Sequence, residues 1–65
     1  MNTDERVLQL RQWCKEKISN YSKLKNEIMG LYELAMTEIE DGASVSHEID
    51  LCMSDVEELI KENYN

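Results

Sequence analysis

The sequence has 65 residues, of which 7 are Lys or Arg and 14 are Asp or Glu, so its net charge is −7 with a neutral histidine. This length allows one domain and excludes a multidomain enzyme. Charged residues interrupt every apolar stretch, which argues against a transmembrane span, and residues 1–6 lack the apolar core of a signal peptide. We therefore predict a single domain, residues 1–65, located in the cytoplasm and not at a membrane.

The charges are divided unevenly along the chain. Residues 1–25 hold six basic and three acidic side chains, a net +3, whereas residues 26–65 hold one basic and eleven acidic side chains, a net −10. Such a division affects partner choice and association rate more than the fold. The overall negative charge repels polyanions and argues against direct binding of nucleic acid. The pattern favours a binding protein over an enzyme.

The first predicted element is one long helix over about residues 3–40. There is no proline and there are only two glycines, a composition that favours helix. Apolar residues recur in two columns of a seven-residue repeat, the second of which Lys17 and Glu38 interrupt, and such a repeat is typical of coiled-coil packing. The two columns are Val7, Cys14, Tyr21, Ile28 and Ala35, and Leu10, Leu24 and Leu31. An alternative stays open: weak helix formers at residues 19–22 would break the helix and give a monomeric three-helix bundle.

The second predicted element is a helix over about residues 44–63. Gly42 can adopt the left-handed conformation that ends the first helix near Asp41, and Ser44 or Ser46 can cap the second. The short link predicts an antiparallel helical hairpin, so the predicted fold class is all-α. In such a hairpin, residues whose numbers add up to about 85 are neighbours, which pairs Tyr21 with Tyr64.

A continuous first helix would be about twice as long as its partner and would leave residues 5–19 uncovered. An exposed apolar stripe marks an interface, so we predict a homo-oligomeric helical bundle or docking on another protein. Trp13 is the best single anchor, because buried tryptophans often dominate interface energy. The predicted oligomer or partner interface consists of Val7, Leu10, Trp13, Cys14, Ile18 and Tyr21.

Few residues offer chemistry. His47 lies at the predicted start of the second helix, where a capping or surface role is expected rather than membership of a catalytic triad. Cys14 and Cys52 fall on apolar stripes and are expected to be small, reduced core residues that cannot reach each other within one chain. The sequence shows no metal-ligand spacing and no glycine-rich phosphate loop. We therefore predict no catalytic residue, no metal and no cofactor.

These features predict a non-enzymatic protein that acts by protein–protein binding. Small, acidic, helical chains are typical of phage and mobile-element accessory proteins, and by this analogy the partner is a host protein that is inhibited. In a second hypothesis an acidic face, led by Glu57, Glu58 and Glu62, imitates nucleic acid and blocks a nucleic-acid-binding or defence protein. A third hypothesis is an oligomeric sponge that traps small anionic ligands between the basic N-terminal segments.

Overall fold

The computed structural model describes residues 3–64, which form three α-helices and no strand. The helices are α1 (Thr3–Asn20), α2 (Lys25–Glu40) and α3 (Val45–Tyr64), and a short 3-10 turn, Ser22–Leu24, joins α1 to α2. The all-α class is confirmed, and α3 lies within one residue of its predicted bounds. The prediction of one continuous helix over residues 3–40 is wrong, and the described residues have the three helices and the break near residues 19–22 of the alternative.

The chain breaks at Tyr21, whose φ of −131° and ψ of 59° are not helical. The Tyr21 N–H closes α1 with a 2.8 Å hydrogen bond to the Lys17 carbonyl, and the Leu24 N–H then bonds the Tyr21 carbonyl at 2.8 Å. Ser19, Asn20 and Ser22 surround the break, and their side chains compete with helical hydrogen bonding. The apolar residues on both sides face the same core, so the seven-residue spacing continues through the break and conceals it.

The turn between α2 and α3 follows local sequence signals. Gly42 has a φ of 103°, its N–H bonds the Ile39 carbonyl at 3.1 Å, and the Ala43 N–H bonds the Glu38 carbonyl at 2.9 Å. These two bonds form a Schellman motif, which requires the left-handed conformation at the glycine. The Ser44 hydroxyl then accepts a 3.3 Å hydrogen bond from the His47 N–H, so Ser44 caps α3.

The two glycines should respond oppositely to alanine. Gly42→Ala should destabilise the fold by about 1 kcal/mol, because a Cβ is strained at positive φ. Gly30→Ala should instead stabilise it by up to about 1 kcal/mol, since Gly30 is in the middle of α2. Apart from the neighbouring residues and backbone of its own helix, no atom lies within 4 Å of the Cβ that alanine would add at Gly30. Urea unfolding of both variants measures the two changes in the free energy of unfolding. Equal changes in the same direction would contradict the turn geometry.

Contacts at both ends hold α1 against α3. Near the start of the two helices, the Arg6 guanidinium donates a hydrogen bond to the Ser46 hydroxyl. At the other end, Tyr21, which directly follows α1, meets the Tyr64 ring of α3 edge to face with centroids 5.0 Å apart, and these two rings are the pair that the register predicts. The helices therefore run up, down and up around one core. Its buried apolar residues are Leu10, Cys14, Leu24, Ile28, Ala35, Ile49, Cys52 and Val56.

The apolar stripe of α1 faces inward, not toward water as predicted. Leu10 and Cys14 are buried, and Trp13, Ile18 and Tyr21 pack half-buried against the core. The break at Tyr21 is the physical reason, because it lets α1 fold back and cover the stripe with the chain's own α2 and α3. Because the chain covers its own stripe, exposure of that stripe is not an argument for an oligomer. Self-association stays a prediction.

Candidate protein-binding face

Two exposed leucines on neighbouring helices form an apolar surface between α2 and α3. Leu34 and Leu51 keep 57% and 45% of their surface exposed. Both line one shallow groove together with Leu31 and Ala35. We call these four residues the leucine face. Single exposed leucines are ordinary on protein surfaces, but adjacent ones on two helices form a patch of the kind that marks an interaction site.

Carboxylates border the leucine face. Glu48 and Asp55 line the same groove, and none of the residues that line it is basic. Three further exposed carboxylates extend this acidic border, because each lies three or four residues along its helix from a residue of the groove. They are Glu27 near Leu31, Glu38 near Leu34, and Glu58 near Asp55. An apolar centre with an acidic border is complementary to a surface with an apolar centre and a basic border.

The sequence contains a signal for this face outside its heptad columns. The register that pairs Tyr21 with Tyr64 also pairs Leu34 with Leu51 across the hairpin. The heptad columns contain the residues that face inward, so they omit Leu34, which lies at the edge of the buried face of α2. A search for apolar residues outside those columns that are neighbours by register would have found the face.

Trp13, the predicted anchor, packs within its own chain. It lines a groove between α1 and α3 with Leu10, Ile49 and Met53. The Lys17 ammonium lies 5.1 Å from the centroid of the indole ring, a cation–π distance. The half-buried ring therefore contributes to the fold and presents only part of its surface to a partner.

The predicted acidic residues Glu57, Glu58 and Glu62 are all exposed on α3. Glu57 and Glu58 line an open surface of the helix together with Asp50 and Lys61. Glu62 does not line that surface. Lys61 offsets part of the negative charge there, so the carboxylates are brought together without forming an uninterrupted row.

The two cysteines meet, contrary to the prediction that they cannot reach each other. Both are buried free thiols, and a side-chain hydrogen bond between them has the largest influence on the pKa of each. The folded-back α1 explains the contact: Cys14 shares a groove with Tyr32, while Cys52 shares one with Leu31. The two thiols therefore lie at the same turn of α2. The register between α2 and α3 does not fix the level at which α1 packs, so it could not predict this contact.

The shared hydrogen bond moves the two thiol pKa values in opposite directions. The hydrogen bond from Cys52 lowers the pKa of Cys14 and outweighs the opposing effect of burial. Donating that bond raises the pKa of Cys52 strongly, and burial and the nearby Asp55 and Glu48 add to the increase. One thiol of the pair is therefore prepared to ionise while the other holds its proton.

We expect the Cys14 thiol to ionise below its ordinary pKa of 9.0, because a hydrogen bond to the thiolate favours the charged form. The Cys52 thiol should stay protonated at that pH. The ¹³Cβ chemical shifts of both cysteines, followed as pH rises, measure the two steps separately. Cys52→Ala removes the donor and should return the Cys14 step to higher pH. Simultaneous titration of both thiols in the wild type would contradict the contact.

His47 is exposed in the first turn of α3, where its N–H meets the cap of that helix. Within residues 3–64 no three His, Cys, Asp or Glu side chains are grouped so that they could hold a metal ion. The helices of this described part include none long and apolar enough to cross a membrane. Comparison of the chain with protein-family models, curated proteins and solved structures finds no match.

Proposed function

We propose that this chain is a non-enzymatic protein-binding module whose leucine face docks on a basic, amphipathic helix of a partner protein. The observation that carries the proposal is the exposed pair Leu34 and Leu51 within a border of carboxylates. Complete burial of a leucine side chain contributes roughly 1.5–3 kcal/mol, so these two residues offer a compact energetic centre. The acidic border adds selectivity and a faster encounter with a basic partner.

A helix is the partner element that suits the groove best. The leucine face lies between two antiparallel helices, and a third helix laid along such a groove contacts it with residues spaced three and four apart. The added helix would extend the three-helix bundle to four. Inhibition of a host protein, in the manner of phage and mobile-element accessory proteins, is the role that we attach to this binding by analogy.

The test uses a synthetic amphipathic peptide with leucines on one helical face and Lys and Arg on the other. Calorimetric titration should show binding to the wild-type chain and at least about a tenfold loss for the double variant Leu34→Ser/Leu51→Ser. Leu8→Ser is the matched control, because Leu8 is similarly exposed but lies on α1. Loss of an exposed leucine should leave both variants folded. Equal affinity of the double variant and the wild type would contradict the proposal.

Acidic mimicry of nucleic acid is the second candidate function, supported by the open surface that Asp50, Glu57 and Glu58 share on α3. Salt separates the two candidates. Contact through the leucine face should persist at high salt, whereas binding by exposed carboxylates should weaken steeply because salt screens surface charges. Charge reversal with Asp50→Lys/Glu57→Lys should have a small effect if the leucine face binds the partner, because both residues line the open surface of α3 and not the leucine face. A large loss with this variant, together with full binding by Leu34→Ser/Leu51→Ser, would favour mimicry.

A further inference from the structure

We propose that Cys14 and Cys52 form a modification site for small hydroperoxides, in which Cys14 attacks the peroxide and Cys52 resolves the product into an intrachain disulfide. These are the only two cysteines of the chain. They come from different helices, α1 and α3, and their thiols are in hydrogen-bond contact inside one core. A resolving thiol beside the attacking one is a common feature of redox-sensitive cysteine pairs.

The surroundings of the two sulfurs assign the roles. Cys14 is 4% exposed and lines a groove of about 220 Å³ between α1 and α2, which is large enough to admit a molecule as small as hydrogen peroxide. The other residues that line this groove are Arg11, Lys15, Ile18, Met29 and Tyr32. Cys52 lies on the other side, in the groove with Glu48 and Asp55. Thiolates form more readily near positive charge than near carboxylates, so Cys14 is the attacking residue.

The reaction balances in two steps. The Cys14 thiolate attacks one peroxide oxygen, the O–O bond breaks, and the leaving oxygen takes a proton to give an alcohol, or water when the oxidant is hydrogen peroxide. Cys14 is now a sulfenic acid. The Cys52 sulfur then attacks the Cys14 sulfur, and the hydroxyl leaves as water with the Cys52 proton. Two thiols are oxidised to one disulfide, and one peroxide is reduced.

The first test treats the folded wild-type chain with hydrogen peroxide and maps its peptides by mass spectrometry. The expected product has lost two hydrogen atoms and contains a linked Cys14 and Cys52 pair within one chain. Two unmodified thiols, or disulfides only between chains, would overturn the proposal. This test needs no substitution, so it does not depend on how well a variant folds.

The second test separates the roles with serine variants, after circular dichroism confirms that both are folded. Cys52→Ser keeps a hydroxyl donor beside Cys14 but cannot form the disulfide, so the sulfenic acid should persist and react with dimedone. Cys14→Ser leaves only the Cys52 thiol, which lies near Glu48 and Asp55. Dimedone labelling of this variant should be at least tenfold lower than that of Cys52→Ser. Equal labelling of the two variants would show that the attacking role is not specific to Cys14.

Discussion

Replacing Leu10 with glutamate should unfold most of the chain. Leu10 is 1% exposed on the inward side of α1, so its glutamate would be a charge without a partner in the core. Such a change costs about 3–5 kcal/mol, comparable to the roughly 3–10 kcal/mol expected for a domain of this size. Thermal unfolding followed by circular dichroism measures the loss. Leu8→Glu, on the same helix at 53% exposure, is the matched control and should change stability by less than about 0.5 kcal/mol.

The same pair of variants distinguishes a folded-back α1 from a long, uncovered helix. In a long helix Leu10 would lie at a contact between chains, and its glutamate would reduce the particle mass while the chain stayed helical. Retained helicity with a lower sedimentation coefficient for Leu10→Glu would therefore contradict the three-helix core. Loss of helicity, with Leu8→Glu unchanged, is the result that the packing of α1 predicts.

Ile28→Ala should be the most damaging simple truncation. Ile28 is 0% exposed near the start of α2, and removing its side-chain carbons leaves a cavity in the shared core. Large-to-small changes of this kind cost about 2–5 kcal/mol. The midpoint of urea unfolding should fall strongly, and the slope of the transition should stay unchanged if the unfolded state is the same.

Met29→Ala is the control for this truncation, because Met29 is the next residue of α2 and is 39% exposed. Its cost should be under about 1 kcal/mol, since surface substitutions remove little buried contact. Similar losses at both positions would mean that α2 is rotated about its axis relative to the core described here.

The turn and α3 follow from local chemistry, so the sequence predicts them well. Gly42 supplies the left-handed residue and Ser44 supplies the cap, and both act within a few residues of themselves. No glycine or proline lies at the break at Tyr21, so the sequence has no strong helix-breaking residue there. Stabilisation of the break comes from burying the α1 stripe on α2 and α3, a tertiary effect that helix periodicity alone does not contain.

The candidate site was predictable in part. The pairing of Leu34 with Leu51 follows from the register of the hairpin, because that register depends only on the turn at residues 41–44. The contact of Cys14 with Cys52 depends on the level at which α1 folds back, which the 3-10 turn at Ser22–Leu24 sets. Helix periodicity does not contain that level, so the sequence predicted two thiols that cannot reach each other.

The central claim is that the core is closed within one chain and that the leucine face is the free surface. Its most direct test is methyl-resolved NMR of the leucines, recorded while the basic amphipathic peptide is added. The Leu34 and Leu51 methyl signals should shift as the peptide binds, since both side chains are exposed. Those of Leu10 and Leu24 should stay in place because both are buried in the core. The largest shifts at Leu10, with none at Leu34 and Leu51, would contradict both the fold-back of α1 and the binding face.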